Sequence, residues 1–337
     1  MTDFDLSKVV KGLKDKYAFV KVASEEKDAQ DYISTGNLAL DLALEGGIAF
    51  GYAVEFSGLS GSGKTLLCQL MLADAQKKYD TVGIWFDREK AWFKKRAVEL
   101  GIDIDKVIVF EPQDIPTVPD MEAAAKDVLD KIPSDVYKMI CIDSISAFMK
   151  EGDKADMGKK AQALHNFFRT MLSYMNEKTS LVFANQITFK IGILFGDKTT
   201  VTGGESPKYY STYRIKLDDR KAIVDSTKGD EIVGNWIEAQ IIKTRLGPNY
   251  RKIVFPFYYK EGIPYYGGYA RLLADRGYLK PKNKKEFKSF KQSTLVYGDE
   301  QVNEFKIESF LKKHPELKFD KYPEYNTGED NAKEDTN

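Results

Sequence analysis

Hydrophobic positions recur along this chain with two periods. Residues 5–16 place Leu6, Val9, Val10 and Leu13 at the i, i+3, i+4, i+7 spacing of a short amphipathic helix. Tyr17–Val22 reads as a short strand, and a polar stretch follows from Ala23 to Asp31. A helix, a strand and a linker bury little by themselves. They pack either on the chain's own core or on a neighbouring subunit. From residue 52 onward, short apolar runs alternate with helical patterns. Strands are expected at Tyr52–Ser57, Val82–Asp87, Val107–Phe110, Met139–Asp143 and Leu181–Gln186, with helices such as Lys64–Lys78 and Met121–Lys131 between them. That alternation predicts a parallel sheet covered on both faces. Leu164, Phe167, Phe168, Met171, Leu172 and Met175 form a stripe at helical spacing and are expected to be core. Beyond Tyr209 strands dominate, at Ser211–Leu217, Asn235–Lys243 and Lys252–Tyr259, and are expected to extend the sheet in antiparallel sense. A further unit begins near Arg271 with a lysine run (Lys280, Lys282, Lys284, Lys285, Lys288, Lys291) and then a helix from Val302 to Lys313. The acidic, polar residues 324–337 are expected to be disordered.

Composition narrows the class. With 42% hydrophobic and 30% charged residues, the 337-residue chain fits a soluble globular protein. Its 51 basic and 51 acidic residues cancel, so any nucleic-acid binding must come from local patches rather than a global field. Cys68 and Cys141 sit in apolar runs and are expected to be buried thiols in a reducing, cytoplasmic setting. Two His and two Cys argue against a structural zinc site. Neither a signal peptide nor a membrane span is expected.

One segment carries explicit chemistry. Gly58-Leu59-Ser60-Gly61-Ser62-Gly63-Lys64-Thr65 is a complete phosphate-binding loop, placed after an apolar strand and at the start of a helix. The glycines let the backbone wrap phosphates and aim N–H groups at them. Lys64 reaches the β- and γ-phosphate oxygens, Thr65 offers its hydroxyl to Mg²⁺, and the helix N-terminus favours negative charge. Met139–Asp143 is an apolar strand ending in a carboxylate, suited to holding Mg²⁺ through water. Hydrolysis also needs a residue that positions the attacking water. Where the strand ending in Asp87-Arg88-Glu89 lies beside the one carrying the loop, a carboxylate there faces the γ-phosphate. Glu89 is the candidate base and Asp87 its competitor; the bland alternative is a solvated surface acid.

A second segment specifies the machine. Asn185-Gln186-Ile187-Thr188-Phe189-Lys190-Ile191-Gly192-Ile193-Leu194-Phe195-Gly196, followed by Thr202-Gly203-Gly204, resembles the second DNA-binding loop of RecA-type recombinases, and the likeness continues through residue 214. Ile33–Leu44 resembles the segment that precedes the ATP loop in that family. The resemblance runs, with gaps, from residue 33 to 270. Lysine richness and local departures point to a divergent, phage-borne member of the UvsX kind. It implies an α/β, RecA-like P-loop ATPase core with a twisted, mostly parallel sheet. The core (33–270) is flanked by an N-terminal oligomerisation arm (1–32), a small C-terminal domain (271–323) and an acidic tail (324–337).

Residue roles follow from the resemblance. Glu89 matches the family's catalytic glutamate, and Gln186 the glutamine that senses the γ-phosphate. Lys243 and Arg245 match two lysines that reach across to a neighbour's ATP, which would make them trans cationic fingers. Lys208 and Tyr209 match interface positions, and Tyr266 one that packs on the adenine. Two loops line the DNA path: the first is matched by Glu151–Gly158 with Met157 as apolar contact, the second by Ile191–Gly204. In the second, Gly192, Gly196, Gly203 and Gly204 supply freedom and N–H groups, while Ile191 and Phe195 wedge against bases. Arg169 matches an arginine near the DNA backbone. Departures matter too. Gln162 and Thr188 stand where the family has arginines, which implies weaker or more salt-sensitive DNA binding, and Arg96 replaces an aromatic near the adenine.

The function implied is an ATP- and Mg²⁺-dependent homologous recombinase. It forms head-to-tail filaments on single-stranded DNA, pairs with homologous double-stranded DNA, and works beside a single-strand-binding protein and a loader. The rivals are a helicase or translocase on the same fold, and a recombination mediator or single-strand scaffold. A small-molecule kinase is more distant, since no substrate lid is visible.

Overall fold

The computed structural model describes residues 5–14, 16, 17, 20, 22–25, 31–149, 154–189, 199–201, 205–225, 227, 229–288 and 294–326. Helix α1 (Leu6–Lys14) comes first. Strands β1 (Tyr32–Ile33) and β2 (Ile48–Ala49) pair antiparallel around α2 (Leu38–Ala43). Then follow β3 (Ala53–Gly58), α3 (Lys64–Tyr79), β4 (Val82–Asp87), α4 (Lys94–Glu99), β5 (Val107–Phe110), α5 (Val118–Leu129), β6 (Lys138–Asp143), α6 (Ile145–Met149), α7 (Lys154–Tyr174) and β7 (Thr179–Phe189). The next elements are β8 (Thr199–Val201), α8 (Ser206–Tyr210), β9 (Tyr213–Asp225), β10 (Glu231–Lys243) and β11 (Lys252–Tyr258). The chain closes with α9 (Tyr269–Asp275), β12 (Lys280–Pro281), α10 (Lys284–Lys288), β13 (Leu295–Tyr297), β14 (Glu300–Val302) and α11 (Ile307–Lys313).

The main sheet has the order β11-β10-β9-β3-β7-β6-β4-β5, with β8 pairing β7 off that path. β9, β3, β7, β6, β4 and β5 are mutually parallel. All six residues of β3 and of β6 are buried, as expected of strands covered on both faces. Alternation along β6 divides the core. Met139 and Cys141 face a layer that includes Leu67, Met71 and Leu72 of α3, while Ile140 and Ile142 face Met121 of α5 and Phe167, Phe168 and Met171 of α7. The helical stripe read from the sequence is therefore core, except that Leu172 turns outward. Both cysteines are buried.

Several expectations shift. β3 and β4 are not adjacent; β7 and β6 lie between them. β9 joins the sheet parallel to β3, and antiparallel pairing enters through β10 and β11 and through β8 on β7. Tyr17, Val20 and Val22, the described residues of the expected arm strand, are not in a strand: Tyr17 N–H bonds Leu13 O and Val20 N–H bonds Tyr17 O, so the chain turns there. The expected helix from Val302 starts only at Ile307, because Asn303 Oδ1 accepts the N–H groups of Phe305 and Lys306 and holds a turn between β14 and α11. The segment expected to be disordered begins inside the packed lobe. Asn326 N–H bonds Arg276 O, and the Arg276 guanidinium lies 4.4 Å from the Tyr325 ring centre; residues 327–337 lie outside the described residues.

Candidate functional site at the carboxyl edge of the sheet

Four neighbouring parallel strands, β3, β7, β6 and β4, bring their C-terminal ends to one edge, where ligands of open α/β sheets bind. Gly58 pairs with Gln186, and Asp87 with Asp143. The phosphate loop leaves β3 and enters α3 through Gly63, which caps the helix at φ +87° with no side-chain partner for its first N–H groups. Gly61 is also left-handed, at +82°, with nothing within 4 Å of where a Cβ would sit. Glycine is what this backbone needs.

Lys64 is buried and donates to the carbonyls of Gly58 (3.1 Å) and Leu59 (2.7 Å). Burial lowers its pKa, while Asp143 and Glu89 pull it back up. Thr65 Oγ1 donates to Asp143 Oδ2 at 2.7 Å. Burial pushes Asp143 up to about 6 against that hydrogen bond. The buried Ser62 Oγ has no protein partner. Uncapped N–H groups at the start of α3, an ammonium, and a hydroxyl beside a carboxylate fit a nucleotide triphosphate with Mg²⁺, a hard cation that takes oxygen ligands.

Glu89 faces the same cleft. Lys64, Thr65, Glu89, Asp143 and Gln186 line it, together with Arg96, Phe257 and Tyr259. The turn after β4 is stitched to β6 by the N–H groups of Arg88 (2.9 Å) and Glu89 (3.1 Å), both donated to Asp143 O. Asp87 is committed elsewhere: its two oxygens accept Ala91 N–H (2.8 Å) and Trp92 N–H (3.0 Å). Between the two carboxylates, Glu89 is the one turned to the cleft. Its Oε1 accepts Gln186 Nε2–H at 3.1 Å and the Ser144 hydroxyl. Ser144 and Ser146 escaped the sequence reading, although their i, i+2 spacing directly after Asp143 was a usable signal.

The other residues singled out lie elsewhere. Tyr266 packs edge to face on Tyr265, with ring centres 5.0 Å apart, while Phe257, Tyr259 and Arg96 are the residues that line the cleft beside the loop. Arg96 Nη1 bonds Lys260 O at 3.2 Å. Lys243 lies toward the amino edge of the sheet, paired on β10 with Arg214 of β9, which in turn pairs with Glu55 of β3. The loop leaves β3 at the level of Leu217 and Ala239. A bulge in β10 between Ile241 and Lys243 takes up one residue, so Lys243 lies level with Glu55, three residues along β3 from Gly58, about 10 Å. Burial lowers the Lys243 pKa, and Arg245 and Arg214 add to the effect. Its ammonium donates to Lys208 O at 2.7 Å. Lys208 and the exposed Tyr209 of α8 therefore share that side with Lys243.

Met157 and Arg169 are exposed positions on α7. α7 begins at Lys154, so the second half of the expected first loop is helical. β7 and β8 frame the second loop: Ile187 pairs with Val201 and Phe189 with Thr199. Part of that stretch is thus a ladder rather than loop. Ile191, Gly192, Phe195, Gly196, Gly203 and Gly204 lie outside the described residues.

The segment 33–44 has a structural role. Asp41 accepts Ser34 Oγ (2.5 Å), Thr35 N–H (2.8 Å) and Thr35 Oγ1 (2.7 Å). Asn37 caps α2 and donates to the carbonyls of Pro264 (3.1 Å) and Gly267 (2.8 Å). This knot ties the start of the core to its end.

Comparison with known proteins agrees with this geometry. Residues 4–264 match the family model described as RecA N-terminal domain. Protein RecA of Gluconobacter oxydans is 32% identical over 311 residues, covering 90% of this chain and 85% of that one. Protein RecA of Zymomonas mobilis is 31% identical over 325 residues, with 93% and 87% covered. Protein RecA of Nitratiruptor is 32% identical over 312 residues, with 90% and 86% covered. A match over most of the chain, and a phosphate loop, acidic strand ends and glutamine on one sheet edge, have one common explanation: the chain belongs to the RecA family of recombinases.

Proposed function

We propose that this protein is an ATP-dependent homologous recombinase that forms filaments on single-stranded DNA and catalyses homologous pairing and strand exchange, with DNA-stimulated ATP hydrolysis. RecA-family proteins are DNA-dependent ATPases that use ATP with Mg²⁺. The observation that carries the reading is the position of Gln186. Its side chain bonds Glu89 in the cleft, and its strand, β7, ends at Phe189, two residues before Ile191–Gly204, the segment matched to the DNA loop.

In this reading the loop from Gly58 to Thr65 and the α3 N-terminus hold the phosphates, and Lys64 leaves its loop carbonyls for the β- and γ-phosphate oxygens. Thr65 and Asp143 hold Mg²⁺, which neutralises charge on the transferring phosphoryl group. Glu89 orients the attacking water, and Gln186 reports the γ-phosphate to the DNA loop. Lys243 lies too far from its own loop to serve it, which supports a role for it, and for Arg245 beside it, at the next subunit's ATP. Lys208 and Tyr209 then belong to the subunit interface. Ile191, Phe195 and the loop glycines contact single-stranded DNA, with Met157 and Arg169 contributing from α7. Residues 1–32 act as the oligomerisation arm, and 271–323 with the acidic tail as appendages.

The direct test is joint-molecule formation between a single strand and a homologous supercoiled duplex, with ATP and Mg²⁺. Product that requires homology and disappears in Lys64→Ala is expected. DNA-stimulated hydrolysis with no product would replace this reading with a translocase or mediator.

A further inference from the structure

Two buried hydroxyls join the strand that feeds the DNA-loop segment to the carboxylate read as the hydrolytic base. β6 ends its pairing with β7 at Ile142 and Phe183. Three residues further on, the Gln186 backbone N–H is met by Ser146 Oγ at 3.2 Å. Ser146 Oγ lies 2.6 Å from Ser144 Oγ, and Ser144 Oγ bonds Glu89 Oε1. Both serines are essentially fully buried, so bulk water does not compete for these bonds.

The direction of every hydrogen in this chain is fixed. A backbone N–H only donates, so Ser146 Oγ accepts from Gln186. An ionised carboxylate only accepts, so the Ser144 hydrogen goes to Glu89. Ser144 has no second hydrogen, and the short contact between the serines must use the one on Ser146. The chain therefore runs one way: Gln186 N–H to Ser146, Ser146 to Ser144, Ser144 to Glu89. Aligned hydrogen bonds of this kind polarise one another and rigidify what they end on. The Gln186 side chain reaches the same Glu89 oxygen directly, at 3.1 Å. One residue of β7 thus grips Glu89 twice, through its side chain and through its backbone.

We propose that Ser146 and Ser144 are positioning residues that transmit the placement of β7 to Glu89. A shift of β7 that lengthens the Gln186 N–H contact frees the Ser146 hydroxyl, which unlocks Ser144 and lets Glu89 leave its productive orientation. This inference rests on the recombinase reading, which gives Glu89 its role and β7 its connection to DNA.

The test uses the full-length protein in steady-state ATP hydrolysis, with and without oligo(dT). Ser144→Ala, Ser146→Ala and the double variant form a cycle, with unfolding midpoint and KM for ATP recorded alongside. Each single variant is expected to lower kcat with oligo(dT) about tenfold or more, as misplaced catalytic groups do, with KM changed less than about twofold. Two links in series lose the same function, so the double variant should fall no further than the worse single one. A Ser146→Cys variant, with a weaker S–H donor, enters the cycle if the alanine does not fold. Losses that multiply in the double variant, a kcat unchanged in Ser146→Ala, or a loss confined to KM and midpoint overturn the inference while leaving the recombinase reading standing. Wild-type hydrolysis that oligo(dT) does not stimulate overturns that reading itself, and this inference with it.

Discussion

Glu89 shows how much a single residue's meaning depends on its neighbours. In sequence it is one acid in the run Asp87-Arg88-Glu89, with no local property that separates it from Asp87. In the folded chain Asp87 spends both oxygens on Ala91 and Trp92 N–H groups, while Glu89 lines the nucleotide cleft beside Gln186. Glu89→Gln keeps the shape and removes the carboxylate proposed as the base. Steady-state hydrolysis with single-stranded DNA should fall about 10²- to 10⁴-fold, while binding of a fluorescent ATP analogue stays within about twofold. A comparable loss of binding would reassign Glu89 to holding the nucleotide. Asp143 was legible earlier because an apolar strand ending in an acid, paired with a phosphate loop, is a sequence pattern in its own right.

At the scale of elements, the hydrophobic periods place the core strands and helices, but β9 runs eight residues beyond its expected end, β10 starts four residues early and α5 starts three residues early. β4 and β5 begin and end where the pattern predicts, and α3 runs one residue further, to Tyr79. The misreadings share a cause. The turn after Leu13 and the turn at Asn303 are made by specific hydrogen bonds to one carbonyl or one side chain, which apolar periodicity does not encode. The knot at Asp41 is another such device and yields a pH test. Burial pushes the Asp41 carboxyl from 3.8 up to about 6, outweighing three hydrogen bonds. The folded chain then keeps a proton that the unfolded chain has lost between about pH 4 and 6, so this group's contribution to stability falls as pH rises through that window. Asp41→Asn should flatten that part of the stability–pH curve, read by denaturant unfolding at several pH values. An unchanged slope would mean that Asp41 is ionised in the native state.

The whole molecule presents a head and a tail. The nucleotide cleft lies at the carboxyl edge of β3, and Lys243, Lys208 and Tyr209 lie toward the amino edge of the sheet. Helix α1 leaves Leu6, Val9 and Leu13 at 49%, 44% and 38% exposure and buries only Val10, so its apolar stripe is not used up on its own core. That favours the neighbouring subunit as its seat. The double change Leu6→Glu, Val9→Glu should leave the thermal midpoint within about 2 °C, since exposed substitutions cost little stability, yet shorten or abolish filaments in sedimentation. A large drop in midpoint with filaments retained would show that α1 belongs to its own core. No helix among the described residues is long and apolar enough to cross a membrane.

The sequence by itself determined the phosphate loop, the acidic strand end, the alternation of strands and helices and the likeness to RecA-type recombinases, because each is a pattern within a few neighbouring residues or a run of them. Tertiary structure alone decided that Asp87 is held by Ala91 and Trp92 while Glu89 lines the cleft, that Glu89 meets Gln186 from 97 positions away, and that two serines join them. It also decided that Lys243 lies beyond reach of its own loop. The physical reason is strand order. Inserting β7 and β6 between β3 and β4 is a choice about long-range pairing, and hydrophobic period reports which residues face a core without saying which strand lies next to which.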